Sequence, residues 1–176
     1  MKRLKNVLLS STALFLLPML IGAQEPQVTL DFDNAETASQ IVQKYVKALH
    51  DENVSEMNAL LAPNAVVNGL GSGSVSDSLN VAQHKEYFTN STSAYDHSIT
   101  RDVYLPVKVN NNWNEGEWVL TWGLNTLTDK ESGKEIPVSY HIASIVQNGK
   151  IVRMSYYYDM LNIMNLQGYT FMEPTK

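Results

Sequence analysis

The proton-transfer chemistry open to this chain of 176 residues rests largely on four histidines and 18 acids, because it contains no cysteine. That absence removes thiol nucleophiles, thiolate metal sites, disulfides and a lipid-modified cysteine anchor. His141 stands mid-strand in Tyr140-His141-Ile142. A neutral imidazole there could pair with a carboxylate and act as acid or base, although a satisfied strand histidine is the commoner case. His50, His84 and His97 show no pairing with each other or with acids that spells a metal site. Zinc and similar ions want three or four ligands, typically at short spacings such as His-x-x-x-His, and none occurs. Neither a metal nor a cofactor is expected.

The aromatic side chains are the second chemical resource. Tyr45, Tyr87, Phe88, Trp118, Trp122, Tyr140 and the run Tyr156-Tyr157-Tyr158 bring large apolar area. Tyr and Trp add one polar handle each, which can orient a ligand. Most belong to core or interface; Tyr45, Tyr87, Trp118, Trp122 and Tyr157 are the candidates for lining a pocket. In a strand Tyr157 faces opposite its two neighbours, so the run cannot all enter one cavity. Gly69-Leu70-Gly71-Ser72-Gly73-Ser74 has Ser where the dinucleotide fingerprint needs Gly or Ala, and no Gly-Lys-Ser/Thr of a phosphate loop. It reads as a flexible connector or a pocket lid. No Gly-x-Ser-x-Gly elbow is present, and Asp31-Phe32-Asp33-Asn34 lacks the Gly and distal Glu of a calcium loop.

Composition sets the frame for these residues. A chain that is 44% hydrophobic and 18% charged fits one ordinary globular domain. Its formal net charge of −5, without a basic run, excludes an ordinary nucleic-acid binder. MKRLK carries three positive charges, an apolar run follows from Val7 to Ile21, and Gly22-Ala23 precedes a polar stretch. That is the plan of a secretory signal peptide, residues 1–23, cut after Ala23. The apolar run is too short and too interrupted, by Ser10, Ser11, Thr12 and Pro18, for a spanning helix of about 20 residues. Cleavage leaves 10 Lys and Arg against 18 Asp and Glu and no stable membrane anchor, so the product is expected to be exported, periplasmic or extracellular. Asn53-Val54-Ser55 and Asn90-Ser91-Thr92 fit the glycosylation acceptor pattern.

Residues 24–33 look like a loose leader. Asp33 and Glu36 have capping-box spacing, and Ile41, Val42, Tyr45, Val46 and Leu49 recur at helical intervals, which predicts a helix over 34–50. Asn53 and Glu56 repeat the device before a short helix stopped by Pro63, and a short strand is expected at 65–67. Ser78 or Asp77 is placed to cap a third helix through Val81, His84, Tyr87 and Phe88. From Asp96 the period falls to two, with strands expected near 98–109, 116–128, 135–147 and 150–159. Asn148-Gly149 is a strong hairpin signal, and Asp159 can cap a terminal helix ending near Gly168. Helices first and hairpin-linked strands after them predict an α+β fold, with helices on one face of an antiparallel sheet. In 118–125, Trp118, Leu120, Trp122 and Leu124 alternate with Val119, Thr121, Gly123 and Asn125, so one face is apolar and the other half-apolar. A wetted face would be more polar, so a partner subunit is expected to cover the second one.

With that order of elements, the closing stretch resembles the nuclear transport factor 2-like superfamily, especially its SnoaL-like branch. It runs Gly149-Lys150-Ile151-Val152-Arg153, then Tyr157-Tyr158-Asp159, and ends at Leu166-Gln167-Gly168; Leu60-Leu61-Ala62-Pro63-Asn64-Ala65 is likewise typical. The resemblance covers about 34–170, with 171–176 as a tail. It implies a curved antiparallel sheet wrapped around three N-terminal helices as a cone, with an internal apolar pocket and often a homodimer through the sheet. In SnoaL-like cyclases the acid after the aromatic serves as acid/base, and that position matches Asp159. Desolvation in an apolar pocket would raise such a carboxylate toward neutrality, and ketosteroid isomerase pairs a carboxylate base with a Tyr-containing oxyanion hole. The competing reading is that Asp159 only caps a helix. Two functions are therefore expected: an exported binding or accessory protein for a small apolar or aromatic molecule, or a lyase, isomerase or cyclase. The second would use Asp159 as base and His141 or a tyrosine as proton partner.

Overall fold

A computed structural model describes residues 27–71 and 76–170. The signal peptide expected at residues 1–23, the start of the leader, positions 72–75 of the glycine-rich loop and the 171–176 tail lie outside the described residues. In chain order the elements are β1 (Gln27–Thr29), α1 (Ala35–His50), α2 (Val54–Leu60), β2 (Leu61–Asn68), β3 (Ser78–Leu79) and α3 (Val81–Ala94). Then come β4 (Tyr95–Asn110), β5 (Gly116–Asp129), β6 (Glu135–Gln147), β7 (Lys150–Tyr158) and α4 (Met160–Leu166). The strands form one curved sheet in the order β1-β4-β5-β6-β7-β2-β3.

The α+β arrangement agrees with the sequence reading, and two of its details are corrected. The sheet is mixed, because β2 runs parallel to β7 while every other pair is antiparallel. Chain reversal by hairpins fixes β4 to β7 as antiparallel, but β2 reaches the β7 edge from α2 and is free to pair in either sense. Pro63, which has no N–H for a ladder, is exposed in the register shift between Leu61 and Val66. The leader is not loose throughout, since Gln27–Thr29 pairs with Lys108 to Asn110 at the sheet edge.

Two of the four proposed helix caps also move. Asn34, not Asp33, precedes α1, and it makes no side-chain cap; Glu36 is instead bonded by Gln40 at 2.7 Å. Helix α3 is capped by Asn80 in a reciprocal box with Gln83, because Ser78 and Leu79 are taken up in β3. Asn53 does accept the Glu56 N–H at 3.1 Å, as its spacing predicts. The Asn148-Gly149 turn has φ of 50° and 73°, the double left-handed geometry of a tight hairpin.

Helix α1 buries Ala38, Ile41, Val42, Tyr45, Val46 and Leu49 against the concave sheet face, where Val119, Ile142, Ile151 and Met154 are fully or almost fully buried. At roughly 25 cal/mol per Å² of apolar surface, this contact is the main drive for wrapping the sheet around the helix. Gly69 allows the chain after β2 to close over β7. Its φ is +83°, and a Cβ there would lie 2.3 Å from the Tyr156 carbonyl oxygen. Lys130 fastens one end of the cone, pairing with Glu52 at 3.0 Å and Asp96 at 3.1 Å and donating to the Thr92 carbonyl.

Candidate functional site: a cavity backed by a buried tyrosine–histidine chain

Strand alternation decides which aromatics reach the interior. Gly123 pairs with Tyr140, Tyr140 with Tyr158, and Ile142 with both Thr121 and Tyr156, which fixes the concave set. Together with α1, α3 and α4 these residues line a half-open cavity of ≈ 100 Å³. Its wall includes Leu49, Tyr87, Phe88, Val138, Tyr156 and Tyr158. The volume lies below the roughly 300–1,000 Å³ of ordinary ligand sites, so an occupant must be compact.

Behind this wall runs a continuous chain of hydrogen bonds. The Tyr156 and Tyr45 hydroxyls are 2.6 Å apart, Tyr45 is 2.7 Å from His84 Nε2, and His84 Nδ1 is 3.2 Å from Asn58 Oδ1. Tyr45 and His84 are wholly buried. Burial holds His84 down at about 4, so it is neutral at pH 7. Desolvation raises Tyr45, Tyr87, Tyr156 and Tyr158 above the usual tyrosine range. On another side of the wall His97 is bonded through both ring nitrogens, to Ser91 Oγ and Asn125 Nδ2, each at 3.0 Å. It too is lowered, mainly by burial. A histidine so engaged has no free nitrogen for a substrate proton.

The residues singled out from sequence are divided by this geometry. Tyr87 lines the cavity, and Tyr45 supports it from behind. Trp118, Trp122 and Tyr157 do not line it; they lie on the convex face, Trp122 and Tyr157 being 41% and 47% exposed. The reason is the period of two. Thr121 and Tyr156 point inward, so Trp122 and Tyr157 must point out. His141 accompanies them, stacked on Trp122 at 6.2 Å between ring centres and edge-on to Tyr157 at 5.8 Å. Asp159 is exposed and is not a wall residue; its carboxylate accepts the Asn162 N–H at 2.9 Å and caps α4. The geometry therefore does not bring Asp159 and His141 to one apolar cavity. Sequence reasoning missed Tyr156, Tyr158, His84, His97 and Asn125. The inward parity of Tyr156 and Tyr158 was available from the strand pattern; the pairing of His84 with a tyrosine 39 positions away was not. Among the described residues no group of three or more His, Asp or Glu could hold a metal ion.

No protein-family model matches the sequence, and no curated protein does. Solved structures do match. A proposed isomerase from Bacillus subtilis is 18% identical with a TM-score of 0.64, covering 81% of this chain and 100% of its own. A proposed polyketide cyclase from Xanthomonas campestris is 19% identical with a TM-score of 0.61, covering 76% and 99%. A nuclear transport factor 2-like protein from Burkholderia xenovorans is 16% identical with a TM-score of 0.57, covering 74% and 95%. The chain has the nuclear transport factor 2-like fold. At these identities the likeness defines the fold, and function is argued from the site.

The buried chain carries a pH dependence. The folded value of His84, about 4, lies below its ordinary 6.5, so the unfolded chain binds the extra proton first. Stability is therefore full above about pH 6.5 and falls as the pH drops toward 4, by about 3 kcal/mol at roughly 1.4 kcal/mol per unit. Urea unfolding of wild type and His84→Gln between pH 7 and pH 4 should show a shallower decline in the variant. Equal slopes would mean that His84 titrates normally.

Proposed function

We propose that this protein is an exported small-molecule-binding protein whose cone holds one compact apolar or aromatic molecule without chemically changing it. The observation that carries this reading is the wall itself: a half-open, mainly apolar cavity with no carboxylate among its described lining residues. A binding site needs shape, apolar area and a few oriented polar groups, and those are present. A lyase or isomerase of the ketosteroid isomerase kind needs a base at the reacting carbon. The names of the matched isomerase and cyclase favour that second reading. Export follows from the basic–apolar–small pattern of residues 1–23.

A homodimer belongs to the same proposal. Val103, Trp122 and Tyr157 lie exposed on the convex face, with Leu120 half-buried nearby. Sedimentation equilibrium should give twice the mass of the mature chain, and Trp122→Glu should return it to the monomer. A wild-type monomer at high concentration removes the dimer from the proposal.

Toluene is a fitting first probe. At ten times its dissociation constant it should stabilise the fold by about 1.4 kcal/mol. Val138→Phe, which fills the cavity, should abolish that gain, and Trp122→Ala should keep it. No gain in wild type, or the same gain in Val138→Phe, would contradict a ligand site here.

Asp159 separates the two functional readings without knowledge of any substrate. As a helix cap, Asp159→Asn should melt close to wild type at both pH 5 and pH 8, and Asp159→Ala should lose about 1 kcal/mol at both. An Asn variant clearly more stable than wild type at pH 8 alone would mark a strained functional acid and favour the enzyme.

A further inference from the structure

We infer that the cavity selects molecules that present a hydrogen-bond donor to its tyrosine oxygens, and that His84, two hydroxyls behind the wall, sets this preference. The inference rests on the reading of the cavity as a ligand site and specifies the class of ligand.

The buried chain is polarised from its outer end. Asn58 Nδ2 donates to the Val54 carbonyl at 2.9 Å, which of the two amide atoms only the nitrogen can do. Asn58 Oδ1 is left facing His84 Nδ1 at 3.2 Å, and an oxygen without a proton requires Nδ1 to carry the hydrogen. A neutral imidazole has one N–H, so Nε2 accepts and the Tyr45 hydroxyl donates to it. The Tyr45 oxygen in turn accepts from the Tyr156 hydroxyl. The Tyr156 proton is thereby directed into the core, and lone pairs are what this residue can offer the cavity.

Tyr158 repeats the pattern, donating its proton to the Leu70 carbonyl at 2.8 Å. Asn125 gives its amide nitrogen to His97 and keeps a buried Oδ1 without a partner. The Tyr140 hydroxyl is buried in the wall without a partner; it sits over Gly123, where a Cβ would come within 2.9 Å of it. No Lys or Arg is among the described wall residues. A ligand O–H or N–H meets these oxygens. A ketone or ether finds a donor only in the uncommitted Tyr140 hydroxyl and sets lone pair against lone pair at Tyr156, Tyr158 and Asn125, and a carboxylate loses its hydration with no cation to replace it.

Calorimetric titration at pH 7 with pyrrole, furan and cyclopentanone tests the polarity, since the three are of similar size and differ in what they donate and accept. Wild type should bind pyrrole at least about tenfold tighter than either of the others, the factor equivalent to 1.4 kcal/mol. Tyr156→Phe should bring pyrrole and furan level. Tyr45→Phe removes the acceptor for Tyr156, turns its proton toward the cavity and should move the preference at least about tenfold toward cyclopentanone. His84→Leu should act in the same sense, and Tyr45→Phe stands in for it if that variant does not fold. Cyclopentanone binding wild type as tightly as pyrrole, or an unchanged preference in folded Tyr45→Phe, would overturn the inference while toluene binding keeps the cavity a ligand site. Failure of all three probes together with toluene would remove the ligand site and this inference with it.

Discussion

Four elements meet through one buried chain of hydrogen bonds. Tyr156 belongs to β7, Tyr45 to α1, His84 to α3 and Asn58 to α2, and each link joins a different pair of elements. In a low-dielectric interior such bonds are strong, and an unpaired member is costly, so the chain is satisfied as a whole or broken as a whole. That constraint sets the angle at which the helices rest on the sheet. The cavity is the space left in front of it, and its polar character is inherited from the direction in which the protons run.

The two faces of the sheet serve opposite purposes because the backbone forces them apart. Val119 and Thr121 are wholly buried, while Trp122 between Thr121 and Gly123 is substantially exposed. The inner face is closed by α1 and by the close approach that Gly69 permits over the Tyr156 backbone. The outer face carries His141 stacked on Trp122 and edge-on to Tyr157. Partial burial there lowers the His141 imidazole below its ordinary value. Asp159 closes the strand and opens α4, whose Ile163 supplies part of the cavity wall. Its contribution to the site is the position of that helix.

Much of this fold was legible in the residues. The stripe Ile41, Val42, Tyr45, Val46 and Leu49 named the buried face of α1, and every member is buried. The four long strands and the Asn148-Gly149 turn followed from a period of two and from turn chemistry. The parallel placement of β2 was not legible, because strand direction across non-adjacent segments is settled by packing rather than by local pattern. The site was legible only in part. Size and aromaticity drew attention to Trp118, Trp122 and Tyr157, yet neither property says which face a strand turns inward. His84 looked unpaired because its partners, Tyr45 and Asn58, are distant in sequence and meet only when α1, α2 and α3 pack.

The tautomer and charge of His84 are therefore the most direct test of the account. Nitrogen-15 NMR of the histidine rings, recorded from pH 7 down to pH 5, reads both at once. The account predicts a neutral ring protonated at Nδ1, with Nε2 carrying no hydrogen, across that whole range. A ring protonated at Nε2, or one that takes up a second proton near pH 6.5, would contradict the polarised chain on which the helix packing and the cavity chemistry depend.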